Sequence, residues 1–381
     1  MTRADSCKGT GMTDWTMTRR SALTAMAATL AFPAVAAGRG KRAVRLIAGT
    51  YAREGGKGVY PISFDPDRDT WQVGAPISGI DDASFGVGGG PGDAYYFVRE
   101  KAAGEIAAYA PNWSHRGIAP TAGADPCYVA IDRASACLAV ANYSSGSVAF
   151  HRLDPRTGVP GEPVVFRHTG HGPNKARQEA PHAHWVGFSP DRRWLHSVDL
   201  GTDTIFAYRF DPRARALAEP IAAWRAPPGA GPRHLVHHPR RPLAYVVCEL
   251  SNTVIMLDAR PDGSFATRHT GSTLPNGYEG ASQAAHIAID QARRRLYVSN
   301  RGHDSVAVFA LDASGVPSLL QHIPSGGKWP RFLLVLEAQR RVLVGNERSG
   351  TLAIFRIEPD GRLTATGRTL SVPGAVFVGQ I

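Results

Sequence analysis

The chain has 381 residues, 43% of them hydrophobic and only 20% charged, which excludes a disordered polymer and leaves ample material for a buried core. Its 41 glycines and 28 prolines suit many short strands joined by turns. The formal net charge of +11 favours acidic partners or small anions, but the basic residues are scattered and no basic run interleaves with aromatics, so nucleic-acid binding is not expected.

The first element is not part of the fold. Arg19 and Arg20 stand just before the uncharged run 22–32, and Pro33-Ala-Val-Ala-Ala37 supplies small residues of the A-x-A type. This pattern predicts a twin-arginine-type signal peptide over 1–37, too short to span a bilayer as a retained helix. The expected protein is periplasmic or exported, has the twin-arginine export machinery as the precursor's partner, and keeps no membrane association after processing. Arg3, Lys8, Arg19 and Arg20 against Asp5 and Asp14 give the leader a net +2, so residues 38–381 carry +9. Cys127, Cys137 and Cys248 remain, an odd set in which buried free thiols are favoured over a single Cys127–Cys137 bridge.

From residue 38 onward one unit repeats. Each copy pairs an apolar strand with a second across a short polar hairpin: 95–100 with 105–109, 138–142 with 146–150, 195–199 with 203–208, 245–248 with 252–256, 296–300 with 304–309, and 343–346 with 350–355. A frayed copy stands at 47–50 and 58–62. The register is tight, because Asn142, Asp199, Cys248, Asn300 and Asn346 each precede an apolar residue by six. These marks fall 57, 49, 52 and 46 residues apart, the size of a four-stranded propeller blade. A unit of this kind cannot bury both faces alone, so the units stack in a ring. The sequence therefore predicts an all-β fold over 38–381: a seven-bladed β-propeller of four-stranded antiparallel blades. The lone strand 373–378 is expected to pair near Leu46 and close the ring. No Trp is followed by Asp, which argues against a WD40 array, and Gly86-Val-Gly-Gly-Gly90 reads as a turn because no helix follows it.

The repeat also assigns a rim. In an antiparallel blade the start of the first strand and the end of the second lie at the same end. One mouth of the channel therefore gathers His182, His184, Arg233, His234, His286 and Arg331 from first-strand starts, and Asn142, Tyr143, Asp199, Glu249, Asn300, Arg301, Asn346 and Glu347 from second-strand ends. Histidines, arginines and carboxylates are the parts for acid–base work and for binding an anion. The opposite rim receives ordinary turn residues such as Asp154 and Asp211. His182 and His184 with His168 and His171 lack a fixed fourth ligand, so no metal is expected.

Several motifs in blade order resemble the β-propeller lactonase family, which includes the propeller-type 6-phosphogluconolactonases and the fungal carboxymuconate-cyclising enzymes. They are Asn142-Tyr-Ser-Ser-Gly-Ser-Val148, Asp199-Leu-Gly-Thr-Asp203, Gly231-Pro-Arg-His-Leu235 and Ser299-Asn-Arg-Gly-His-Asp-Ser305. The resemblance implies a catalytic set of His184, Arg233, Glu249 and Arg301, all on the rim already assigned. His182, His234, His286, Arg331, Asn142, Asn300 and Asn346 are the expected substrate-binding residues around it. The implied activity is hydrolysis of a small anionic or sugar-like lactone without a cofactor, with His184 or Glu249 activating water and the arginine pair binding the anion and the oxyanion. Two departures qualify the substrate: His286 and Ala288 stand where the family often has an acidic residue and a histidine, and an export signal sits awkwardly with a phosphorylated sugar lactone. A muconate-type lactonising enzyme and a non-catalytic periplasmic ligand-binding propeller are the alternatives.

Overall fold

The computed structural model describes residues 43–290 and 295–381, so the leader expected over 1–37 lies outside the described residues. The described strands form seven antiparallel sheets arranged as blades. Blade 2 holds Gly86–Gly88, Tyr95–Arg99, Glu105–Tyr109 and His115–Pro120, and blade 3 holds Pro126–Asp132, Cys137–Asn142, Ser147–Arg152 and Val164–Arg167. Blade 4 holds Ala183–Phe188, Trp194–Asp199, Thr204–Asp211 and Ile221–Arg225, with the short Ala216–Leu217 beside the third strand. Blade 5 runs Pro232–His237, Leu243–Cys248, Thr253–Ala259 and Phe265–Ser272. Blade 6 is Gln283–Asp290, Arg295–Arg301, Ser305–Leu311 and Pro317–Pro324, and blade 7 is Pro330–Leu336, Arg341–Asn346, Thr351–Ile357 and Leu363–Ser371.

Blade 1 is composite. Its strands Val44–Thr50, Tyr60–Asp65 and Thr70–Val73 are completed on the inner side by Ala375–Gln380, with Leu46 opposite Gln380 and Ala48 opposite Val378. The C-terminal strand therefore closes the ring, as its sequence suggested. One expectation is corrected: Gly86–Gly88 is the innermost strand of blade 2, not a turn. The glycines are needed there because Phe97 and Tyr95 lie over them, and a Cβ would sit 2.6 Å from the Phe97 ring at Gly86 and 2.8 Å from the Tyr95 ring at Gly88.

Alternation along each second strand loads both faces with apolar side chains. In Leu243–Cys248, Ala244, Val246 and Cys248 join the core shared with blade 4, while Leu243, Tyr245 and Val247 join the core shared with blade 6. Three residues before the end of this strand the blades are also stapled by a polar tip. Tyr96, Tyr245 and Tyr297 donate their hydroxyls to Gly158, Gly315 and Gly361 carbonyls in the outer turn of the next blade, and His196 reaches Gly263 in the same way. Tyr245 is fully buried and its bond to Gly315 is 2.7 Å long. Removing the hydroxyl in Tyr245→Phe strands that carbonyl, and we expect a loss of about 1–3 kcal/mol in denaturant unfolding; an unchanged midpoint would show the staple to be idle.

No helix among the described residues is long and apolar enough to cross a membrane. Cys127, Cys137 and Cys248 are buried free thiols.

Candidate active site

A backbone irregularity positions the site. In six blades the innermost strand carries a β-bulge near its start, at Cys127, His184, Arg233, the Ala285–His286 pair, Arg331 and Val376. A bulge re-aims its extra side chain out of the alternating pattern, and here it turns toward the channel mouth. Left-handed residues set up the bend immediately before four of these strands: Asp125 (φ 53°), Gly231 (60°), Trp329 (64°) and Gly374 (66°). Trp329 has no glycine-like freedom at that angle, and the Asp304 carboxylate, 2.8 Å away, accepts its N–H and holds it there.

Beside the bulges stands a second ring of residues, those one place beyond the residues that mark the second-strand ends: Tyr51, Glu100, Tyr143, Glu249, Arg301 and Glu347. Together the two rings enclose a cavity of about 190 Å³ lined by Glu100, Cys127, Tyr143, Arg177, His184, Glu249, Arg301 and Arg331. A narrower space beneath it, about 10 Å³, is bounded by His184, Arg233, His234 and Phe332.

Glu249 organises one wall. Its Oε2 lies 2.6 Å from Arg301 Nη2 and 3.0 Å from Arg233 Nε, and its Oε1 lies 2.5 Å from Arg177 Nη2. The Arg233 contact is an ion pair without hydrogen-bond alignment, and Arg233 instead donates to the Ala285 carbonyl at 2.8 Å. Burial alone would raise the Glu249 carboxyl, but Arg301, Arg233 and Arg177 outweigh it and hold the group well below the usual carboxylate range. Burial, with Arg301 and Arg331 nearby, lowers Arg233 to about 9, still cationic at neutral pH.

The opposite wall is a directed chain. Arg331 Nη2 donates to the Tyr51 hydroxyl at 2.8 Å, and that hydroxyl donates to Glu100 Oε2 at 2.8 Å. Arg331 Nη1 also lies 3.5 Å from Glu347, which pairs with Arg53. The floor is neutral. Burial, reinforced by Arg233, drives His184 and His234 well below the ordinary imidazole value and His286 to about 3. His234 and His286 meet Nδ1 to Nδ1 at 2.9 Å, which requires one ring to donate and the other to accept. His184 Nδ1 lies 3.7 Å from the Cys127 thiol, whose own pKa burial raises.

Of the residues expected from sequence, His184, Glu249, Arg301 and Arg331 line the cavity, and Arg233 and His234 bound the space below it. His286 lies behind them, stacked on Phe332 at 3.9 Å. His182 and the three asparagines do not line the cavity, and each makes hydrogen bonds to the scaffold. His182 stacks on Tyr143 at 4.6 Å and contacts Glu179. Asn142, Asn300 and Asn346 are fully buried and donate to the Thr121, Thr273 and Ser325 carbonyls in the chain arriving from the preceding blade. His168 is likewise occupied, between Asp199 and Tyr208 at 2.6 Å each. Among the described residues no group of three or more His, Cys, Asp or Glu side chains is placed to hold a metal ion.

Tyr143, placed on this rim by the repeat, completes the lining with Glu100, Cys127 and Arg177, and these last three were not expected there. Glu100 and Cys127 were findable, since Glu100 occupies the repeat place of Glu249, and Pro126-Cys127 that of Pro232-Arg233 and Pro330-Arg331. Arg177 was not, because it sits in the long connection between blades 3 and 4, outside the repeat. A larger groove of about 630 Å³ opens at the other rim between blades 4 and 5 around Trp194, Arg193 and Arg240, but it lacks a buried carboxylate–arginine cluster.

Seven blades around a channel, with buried charge concentrated at one mouth, define a β-propeller. More particularly, the family model described as lactonase, 7-bladed beta-propeller matches residues 45–379, and the chain belongs to that family. It is 33% identical over 343 residues to the 6-phosphogluconolactonase of Bacillus subtilis, covering 87% of this chain and 96% of the relative. Among solved structures, the periplasmic gluconolactonase of Pseudomonas aeruginosa superposes with a TM-score of 0.82 at 26% identity, over 89% of this chain and 99% of that one. A protein from Lactobacillus plantarum gives 0.83 at 27% identity, over 89% and 100%.

Proposed function

We propose that this lactonase-family enzyme hydrolyses a sugar-type lactone in the 190 Å³ cavity. The observation that carries the reading is the convergence of Arg301, Arg331 and Arg177 on a cavity walled by an ionised, fully committed carboxylate, Glu249. Glu249 cancels one of the three charges it touches, so the wall keeps a net positive field aimed at the substrate. The volume falls below the roughly 300–1,000 Å³ of drug-sized pockets and suits a single sugar ring.

In the reaction, water adds to the lactone carbonyl carbon, the carbonyl oxygen becomes an oxyanion, and the ring C–O bond then breaks to leave a hydroxy acid. Arg301 and Arg331 stabilise the oxyanion, and preorganised cations in a water-poor site are the largest single source of such stabilisation. His184, kept neutral, holds a substrate hydroxyl. Glu249 positions the arginines and is a poor proton acceptor, because both its oxygens are engaged by guanidinium groups. The leader pattern and the periplasmic gluconolactonase among the structural relatives support an exported enzyme acting on an unphosphorylated lactone. Titrating acid release from glucono-δ-lactone and from its 6-phosphate tests the reading. We expect opening well above the buffer rate for the unphosphorylated lactone, and no acceleration of either substrate would overturn it.

A further inference from the structure

We propose that Glu100 is the residue that takes the proton from the attacking water, an assignment that rests on the lactonase reading above. Three carboxylates stand in the ring one place beyond the second-strand ends, and they differ in what they are free to do. Glu249 meets three arginines. Glu347 meets Arg331 and Arg53 and does not line the cavity. Glu100 lines the cavity across from Arg301 and, among the described residues, makes no ion pair. Its segment is fixed by its own amide, which donates to the Asp82 carbonyl at 3.1 Å. Its carboxylate is oriented by the Tyr51 hydroxyl, itself held by Arg331.

Proton affinity points the same way. Burial raises the Glu100 carboxyl against the opposing pull of Arg331, the Ser84 and Tyr51 hydroxyls and Arg53, so it takes a proton more readily than an ordinary carboxylate. The competing base, His184, is pushed in the opposite direction by burial and then by Arg233. Glu100 therefore accepts the water proton as the oxygen bonds to the carbonyl carbon, and it returns that proton to the ring oxygen as the C–O bond breaks. Atoms balance as lactone plus water giving hydroxy acid, and Glu100 ends ionised as it began.

The test compares wild type, Glu100→Gln and Tyr51→Phe on glucono-δ-lactone across pH. Glu100→Gln keeps the shape and loses the base, so kcat should fall about 10²-fold or more with KM little changed, and the acid limb of the kcat profile should vanish. Tyr51→Phe keeps the carboxylate but removes a hydrogen bond to its charged form, so its acid limb should move to higher pH. Near-normal kcat in Glu100→Gln, or an unmoved limb in Tyr51→Phe, overturns the assignment while leaving the lactonase reading intact. A wild type that opens no lactone overturns both.

Discussion

Glu249→Gln should be among the most damaging single substitutions in this protein, costing about 3–5 kcal/mol of folding stability, the scale for removing one partner of a buried ion pair. Its carboxylate is 2% exposed and is the shared counter-ion of Arg177, Arg233 and Arg301, of which Arg233 and Arg301 are themselves buried. The amide keeps the volume but leaves those cations to repel one another. The loss should also depend on pH. The folded-state pKa of Glu249 lies below its ordinary 4.5, so its contribution is fully present above about 4.5 and is lost as the pH falls toward the folded value. The gap between wild type and variant should thus be widest at neutral pH and narrow in acid. Urea unfolding at pH 7 and at pH 4 measures both, and a gap that is small at pH 7 or grows in acid contradicts the account.

Arg301→Ala should remove most of the turnover while leaving the fold in place. Arg301 is the guanidinium that both touches Glu249, at 2.6 Å, and lines the cavity from blade 6. Its loss leaves Glu249 with Arg177 and Arg233, so the buried anion stays compensated. What disappears, on the proposed mechanism, is a fixed cation at the developing oxyanion, which is worth about 10²–10³ in kcat when a single such donor is deleted. Arg301→Lys should not restore it, because an ammonium cannot hold the carboxylate and face the substrate with a planar fork. Steady-state kinetics on glucono-δ-lactone, with the melting temperature as a control, decides the matter. A kcat within a few fold of wild type would exclude Arg301 from the chemistry.

These expectations draw unequally on sequence and structure. The ring, the blade boundaries and the rim were legible because they follow from local periodicity: each second strand ends a set distance before the third begins. Closure was legible too, since the lone apolar strand before the C-terminus had no partner within its own unit and the first unit was short of one. The corrections come from places where a single residue's environment decides. Gly86–Gly88 has Val87 as its single strand-forming side chain, and it lies as a strand against Tyr95–Phe97, whose Phe97 and Tyr95 rings fill the space over the two glycines.

By itself the sequence determined the architecture and the mouth at which His184, Arg233, Glu249 and Arg301 gather, because repeat register is a property of neighbours along the chain. Only the tertiary structure decided which rim residues face the cavity. A bulge of one residue turns His184 and Arg331 inward, while unbulged alternation keeps Asn142, Asn300 and Asn346 on the blade-to-blade latches. Ring closure, which brings blade 2 round to face blades 5 and 6, sets Glu100 in the same cavity as Glu249 and Arg301. Those partners are more than a hundred residues apart for Glu100 and Glu249, and only the closed circle makes them neighbours.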